Sequence, residues 1–394
     1  MGPSDLRLLW LTETYPPDRG GMAQSCDRIV RHLRRAGAQV DVAHLHRRAT
    51  LFEVELRERG ADITGPLEED PAHALNRLWP LIRRRSREAP YTHVVAFGGQ
   101  TPITAGPVFA AWLKAPLVTL LRGNDFDLGI FSPKRADSIR TALGSSACIC
   151  TVTSDQASRA RLLFPDVPVV FTPNGIDHAN WRLLPEDERR GLAWRSSHVA
   201  PERRLIGLLG HLKQKKGALF FLETLAGSGL AEKFHLLVVG DVEPAVEQWL
   251  REHEAILPVS SLPFCDRFEL LPWYAAVDLV AIPSFYDGMP NVLLEAAALC
   301  RPLLASDAGG MPDLLDQDSA LLFPAGDAAG CRRALMFAAE AETAELSKRA
   351  ERAQARTLAE FDVSHEITRY LRVFSEVNFS HTAKAKAGPE MEPT

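Results

Sequence analysis

Two consecutive α/β domains, each a doubly wound parallel sheet, are what this sequence predicts. Three observations carry that prediction. Short apolar runs alternate with helical patterns through the first half, a polar break follows at 177–201, and the same alternation then restarts. Strands that alternate with helices imply a parallel sheet covered on both faces. Ligands of such sheets bind beyond the carboxyl ends of the strands, so a cleft faced by both domains is the expected site. The length, 394 residues, suits two domains.

In the first domain, 1–180, strands are expected at 6–12, 39–44, 93–97, 116–121, 147–152 and 167–171. A helix at 22–36, with its basic residues on one face, ends at Gly37, and a second helix spans 104–113. The stretch 177–201 is rich in Arg and Glu and has no clean period, so it reads as a connection with a surface excursion. The second domain, 200–362, has strands at 205–209, 235–239, 279–282, 302–306 and 320–323, with helices at 218–225 and 291–299. A last helix, 363–378, follows, and the small, charged tail 379–394 is expected to be disordered.

Composition narrows the function. With 46% hydrophobic and 24% charged residues, the chain is an ordinary globular protein, and its net charge of −5 gives no reason to expect nucleic acid. The six cysteines are scattered without a CxxC pair, which points to a reducing, cytoplasmic compartment. The apolar run near the N-terminus is too short for a signal peptide, and no stretch reaches membrane-spanning length. The segment 76–87, NRLWPLIRRRSR, combines Trp79, Leu81 and Ile82 with five arginines. It reads as a solvated surface helix interrupted by Pro80, with peripheral contact to anionic lipid at the inner membrane face as the alternative.

The residues that carry chemistry lie at strand ends. In PSFYDGMPNVLLEAA, a strand ends at Ile282, a turn holds Asp287, Gly288 and Met289, and Pro290 stands where a helix begins. The N–H groups of Asn291 and Val292 then sit at the positive end of that helix, which suits a phosphate. Glu295 lies one turn in and leans back toward the same place, where it can accept hydrogen bonds from ribose hydroxyls. Taken alone, a Glu on an apolar helix is more simply a buried residue held by structural partners. In LIGLLGHLKQKKG, Gly210 lets the backbone approach a ligand, while His211, Lys215 and Lys216 put positive charge at a strand end. In YPPDRGG, Gly20 and Gly21 make a tight turn before a helix, and the chain has no GxGxxG, which argues against a dehydrogenase.

Together these segments resemble the retaining glycosyltransferases of family four, with the two-Rossmann-domain GT-B fold. YPPDRGGMAQ is similar to that family's N-terminal glycine loop and TPNGID (172–177) to the strand-end motif that closes its first domain. GHLKQKKG is similar to its donor-phosphate motif, and DGMPNVLLEAAALCRPLLASDAGGMPDLL (287–315) to its most characteristic stretch. The resemblance implies transfer of a sugar from a nucleotide diphosphate-sugar to a hydroxyl acceptor of unknown identity, with UDP the common donor nucleotide and GDP and ADP open. Gly21 and Lys216 would contact the phosphates, Glu295 the ribose and Asp287 the donor sugar, and the last helix would cross back to the first domain. No cofactor and no metal are implied; the DxD patterns at Asp125–Asp127 and Asp316–Asp318 are chance hits. Front-face attack, in which the leaving phosphate helps deprotonate the acceptor, would need no protein nucleophile. Three departures stand out. His211 replaces the usual Arg, Arg122 replaces a sugar-contacting His, and Asp287 replaces Glu. Arg122 is expected either to meet an anionic substrate or to pair with Asp125 or Asp127. A catalytically weakened sugar-nucleotide-binding subunit and an epimerase-like enzyme are the alternatives, and a monomer or homodimer is expected.

Overall fold

The computed structural model describes residues 2–386, with side chains from 2 to 377. It divides into two units: one is built from 1–173 and 365–394, the other from 174–364.

The first unit carries an eight-stranded sheet in the order β3-β4-β2-β1-β5-β6-β7-β8. Its strands are β1 (Arg7–Thr12), β2 (Gln39–His46), β3 (Glu53–Arg57), β4 (Gly60–Pro66), β5 (His93–Phe97), β6 (Leu117–Leu121), β7 (Cys148–Thr151) and β8 (Val169–Phe171). All neighbours pair in parallel except β3 with β4. The helices are α1 (Gly21–Arg35), α2 (Pro71–Glu88), α3 (Gln100–Leu113), α4 (Asn124–Asp127), α5 (Ala136–Gly144) and α6 (Ser154–Leu163). β5 and β6 are buried along their whole length and are apolar apart from His93 and Thr119, as expected of strands covered on both faces.

Three expectations for this unit need correction. The polar stretch after β2 forms β3 and β4. Every residue of β3 is exposed, so this charged edge strand leaves no apolar signature to read. Pro80 does not interrupt α2, which continues through it to Glu88 after an N-cap in which Asp70 accepts from the Ala72 N–H at 2.9 Å. Finally, the arginines of α1 do not share one solvent face: Arg28 is 4% exposed and its Nε lies 3.0 Å from the Glu366 carboxylate.

The second unit has a six-stranded parallel sheet, β11-β10-β9-β12-β13-β14. Its strands are β9 (Arg204–Leu209), β10 (Phe234–Val239), β11 (Val259–Leu262), β12 (Leu279–Ile282), β13 (Leu303–Ser306) and β14 (Leu321–Phe323). The helices are α7 (Pro185–His198), α8 (Ala218–Ala226), α9 (Pro244–Glu252), α10 (Leu271–Ala276), α11 (Asn291–Ala298), α12 (Met311–Leu314), α13 (Ala328–Glu340) and α14 (Thr343–Glu360). The stretch 177–201 thus contains a helix, not only a connection. Only Gly191 of α7 is fully buried, and a Cβ there would lie 2.3 Å from the Pro272 carbonyl oxygen of α10. A helix seated through a glycine needs no apolar stripe, which is why its period was unreadable. The core of the unit gathers Leu208, Phe221, Leu236 and Phe323.

The last helix, α15 (Val363–Lys386), belongs from His365 onward to the first unit. Glu366 meets Arg28, Tyr370 accepts from Arg122 Nη1 at 3.3 Å, and Phe374 packs on His93 with ring centroids 5.3 Å apart. The helix continues to Lys386, so the first part of the expected disordered tail 379–394 is helical backbone, and 387–394 lies outside the described residues.

Candidate functional site

In the second unit two strand-end loops are locked together. Gly217, the residue after Lys216, has φ +66°, and a Cβ on it would sit 1.9 Å from the Pro283 carbonyl oxygen. Only glycine fits, so the KKG run and the loop after β12 touch backbone to backbone. The Phe285 N–H donates to the Lys215 carbonyl at 3.0 Å, and the Lys215 ammonium lies 5.7 Å from the centroid of the Tyr286 ring. Gly210 stands beside Val292, whose side chain would be 3.7 Å from an added Cβ. His211, Lys216, Asp287 and the start of α11 are therefore held on one edge of one sheet.

Lys216 donates to the Asp287 carboxylate in a close ion pair. The other Asp287 oxygen accepts from the Gly288 N–H at 3.0 Å. The sequence placed both residues in the site without foreseeing that they pair. Around the turn, the Gly310 N–H donates to the Gly288 carbonyl at 2.8 Å and the Asn174 side-chain amide donates to the Met289 carbonyl at 2.7 Å. Asn174 was not among the expected site residues, although TPNGID contained it. Pro290 is the N-cap of α11, and its own side chain makes no capping hydrogen bond. The end is left with the positive partial charge of the helix dipole.

Glu295 is 4% exposed, and its carboxylate accepts from the Tyr274 hydroxyl at 3.0 Å and lies 3.6 Å from Arg267 Nε. The Trp181 indole donates to the Glu295 carbonyl at 3.0 Å, and the Arg267 guanidinium stacks 4.7 Å from the Trp181 ring centroid. Burial and the neighbouring Glu295 charge push the Tyr274 phenol well above its usual range, so it remains a donor. Structural partners thus surround the carboxylate, and they come from sequence positions no local motif connects to it.

His211 is exposed, and its pKa is lowered by partial burial first and then by Lys213, with Asp241 and Glu243 acting in the opposite sense. A diphosphate bound beside it would act in the opposite sense and favour the charged ring.

The remaining expected residues lie in the first unit. Gly20, with φ +110°, is the N-cap of α1, and Gly21 is its first residue. The Arg122 backbone N–H donates to the Asp125 carboxylate at 2.8 Å, while its guanidinium reaches Tyr370 and lies 4.9 Å from the Phe97 ring centroid. Asp125 also accepts from the Phe126 N–H at 3.0 Å, and burial raises its pKa to about 6 against these bonds. Asp127 binds Arg159 and Gln156, and Asp316 caps the Asp318 and Ser319 N–H groups. Both DxD patterns therefore have structural roles, and among the described residues no group of three or more His, Cys, Asp or Glu is arranged to hold a metal.

In the 76–87 segment, Ile82 is buried and Trp79 and Leu81 pack against the core, with Trp79 4.6 Å from Trp112 between ring centroids. Arg77 pairs with Glu68 and Arg85 with Asp41. Its apolar side chains thus pack against the core of the unit, Ile82 fully and Trp79 and Leu81 in part. No helix among the described residues is long and apolar enough to cross a membrane.

Each unit is a largely parallel sheet flanked by helices, and comparison with known proteins gives the family. Residues 20–175 match the glycosyl transferase 4-like domain, and residues 203–340 match glycosyl transferases group 1. The chain belongs to this glycosyltransferase family. It is 25% identical over 219 residues to a putative teichuronic acid biosynthesis glycosyltransferase of Bacillus subtilis, covering 55% of this chain and 54% of that one. It is 26% identical over 244 residues to D-inositol 3-phosphate glycosyltransferase of Mycolicibacterium smegmatis, covering 58% and 50%. The chain thus spans about half the length of the curated relatives it matches. Among solved structures, sucrose-phosphate synthase from Thermosynechococcus elongatus superposes with a TM-score of 0.79 at 16% identity, over 95% of this chain and 100% of that one. HepE from Anabaena, solved with UDP-glucose, gives 0.73 at 18%, over 94% and 100%.

Proposed function

We propose that this glycosyltransferase moves a sugar from a UDP-sugar to a hydroxyl acceptor with retention of anomeric configuration and without a metal. The single observation that carries the reading is the lock between the Lys216 and Asp287 loops at Gly217. It fixes the Lys216 ammonium in the same loop cluster as the start of α11, two features that suit the phosphates of a nucleotide-sugar. Lys216 exchanges Asp287 for the departing diphosphate, and the released Asp287 faces the donor sugar. Glu295, already oriented by Tyr274 and Arg267, accepts from the ribose. Catalysis rests on positioning and on stabilising the leaving group. UDP is chosen because HepE of the same fold was solved with UDP and with UDP-glucose. A cytoplasmic site of action fits the six unpaired cysteines.

A thermal-shift panel of UDP-, GDP- and ADP-sugars tests this reading, since ligand stabilisation reports affinity. The expected result is stabilisation by one UDP-sugar, with slow nucleotide release when no acceptor is present. Binding without any turnover favours a sugar-nucleotide-binding subunit, and no stabilisation by any donor overturns the proposal.

A further inference from the structure

The carboxyl edge of the first sheet, where β1 and β2 end and α3 begins, holds a pocket of about 410 Å³. Its wall includes Leu45, Leu67, Leu75 and Leu78, and nine of its fourteen lining residues are apolar. Leu45, Leu67 and Leu75 are only half-buried, so the leucine wall is open to a ligand. Polar groups are few. Glu13 is held in place: its carboxylate accepts from the Thr101 N–H at 2.7 Å, and a Cβ on the adjoining Gly99 (φ +75°) would lie 2.5 Å from it. The Thr14 hydroxyl oxygen is buried with no hydrogen-bond partner. Next to Gly99, a Cβ on Gly98 would lie 2.7 Å from Arg122 Cγ. Glu13, Gly99, Gly98 and Arg122 thus form a continuous row across the ends of β1, β5 and β6.

A pocket of this size, mostly apolar with a few fixed polar groups, is built for a small ligand with an apolar body. Its one cation, Arg47, is exposed and faces a site that also contains Glu13, which suits a phosphate poorly. The larger cavity beside α1, about 750 Å³, is rich in arginine, but Arg34 and Arg57 both pair with Asp62 inside it.

We infer that the leucine pocket takes the apolar body of the acceptor, a compact ring-bearing alcohol or phenol whose hydroxyl lies along the Glu13–Arg122 row. This rests on the glycosyltransferase reading above and names the acceptor class for it. The probe is 4-methylumbelliferone, a fluorescent bicyclic phenol, titrated onto the full chain in the presence of UDP. UDP affinity is measured separately by calorimetry. The expected result is saturable umbelliferone binding that weakens at least tenfold in Leu75→Arg and severalfold in the milder Leu67→Gln, with UDP affinity unchanged within twofold in both. Intact UDP binding with no umbelliferone binding, or with equal binding in wild type and both variants, overturns the inference alone. Stronger competition by glucose 6-phosphate than by 2-naphthol does the same. Failure of the wild type to bind UDP, GDP or ADP overturns the underlying reading instead.

Discussion

Replacing Lys216 with Ala removes the ammonium that pairs with Asp287 across the two donor loops. The loss has two parts. A charge-assisted hydrogen bond to a diphosphate contributes about 1.5–3 kcal/mol. The substitution also leaves the Asp287 carboxylate, whose side chain is 13% exposed, without its counter-ion beside an anionic donor. At ~6 Å and an effective dielectric near 20, that repulsion is about 3 kcal/mol, and solvent at the half-open site brings it to about 1 kcal/mol. The sum, about 2.5–4 kcal/mol, corresponds to a loss of roughly 10²–10³-fold in turnover of the donor. Nucleotide release from the UDP-sugar, followed with and without acceptor, measures it, and calorimetry with UDP separates binding from turnover. The double variant Lys216→Ala/Asp287→Asn removes the repulsion and should recover about fivefold. A folded Lys216→Ala protein that keeps turnover within threefold refutes the phosphate assignment. A double variant worse than the single one refutes the repulsion argument and leaves the contact of Asp287 with the donor sugar as the larger effect.

Gly217→Ala forces a Cβ against the Pro283 carbonyl oxygen at a positive φ, and should cost about 3 kcal/mol; a drop in Tm of roughly 10 °C together with weaker UDP binding is expected, and a Tm within 2 °C of wild type contradicts the lock. His211 carries a lowered pKa in the free protein, whereas a bound diphosphate favours its charged form. UDP binding should therefore take up a proton, and affinity should fall as pH rises through the window between the free and bound values; in His211→Arg it should stay flat, and coincident alkaline limbs sink the idea. His93 is buried against Phe374 with its pKa lowered to about 4 from an ordinary 6.5. The unfolded chain binds the extra proton, so this contribution is present above pH 6.5 and is lost as pH falls toward 4, at up to about 1.4 kcal/mol per pH unit. Urea unfolding from pH 7 to 5 should show a shallower decline in His93→Phe, and identical slopes would refute the attribution.

Most strands of both sheets were legible because a strand covered on both faces is mostly apolar, and 279–282 was read to the residue, whereas β4 (GADITGP) and β11 (VSSL), broken by small and polar residues, were not read. What lacked that contrast was missed: β3 lies exposed at an edge, and α7 seats itself through Gly191. The donor loops were legible because Gly210, Gly217, Pro290 and the lysines are punctuation with a local cause. Their interlock was not, since Lys216 and Asp287 are 71 positions apart. The same holds for Glu295, whose partners Trp181, Arg267 and Tyr274 come from two distant segments, and for Arg122, whose guanidinium meets Tyr370 of the last helix 248 positions away. Pro80 was overread, because a proline tolerated by a packed helix looks the same in sequence as one that ends it.

The helix that returns to the first unit reverses the order in which the chain can be completed during synthesis. Arg28 leaves the ribosome 338 residues before Glu366, its buried counter-ion. At 5–20 residues per second that gap is roughly 20–70 s. The second unit is contiguous in sequence, so it has everything it needs first, while the earlier-made unit waits with a guanidinium and the seats of Tyr370 and Phe374 uncovered. A ribosome stalled, or a chain clipped, just before His365 would therefore spare the unit made last and cripple the one made first.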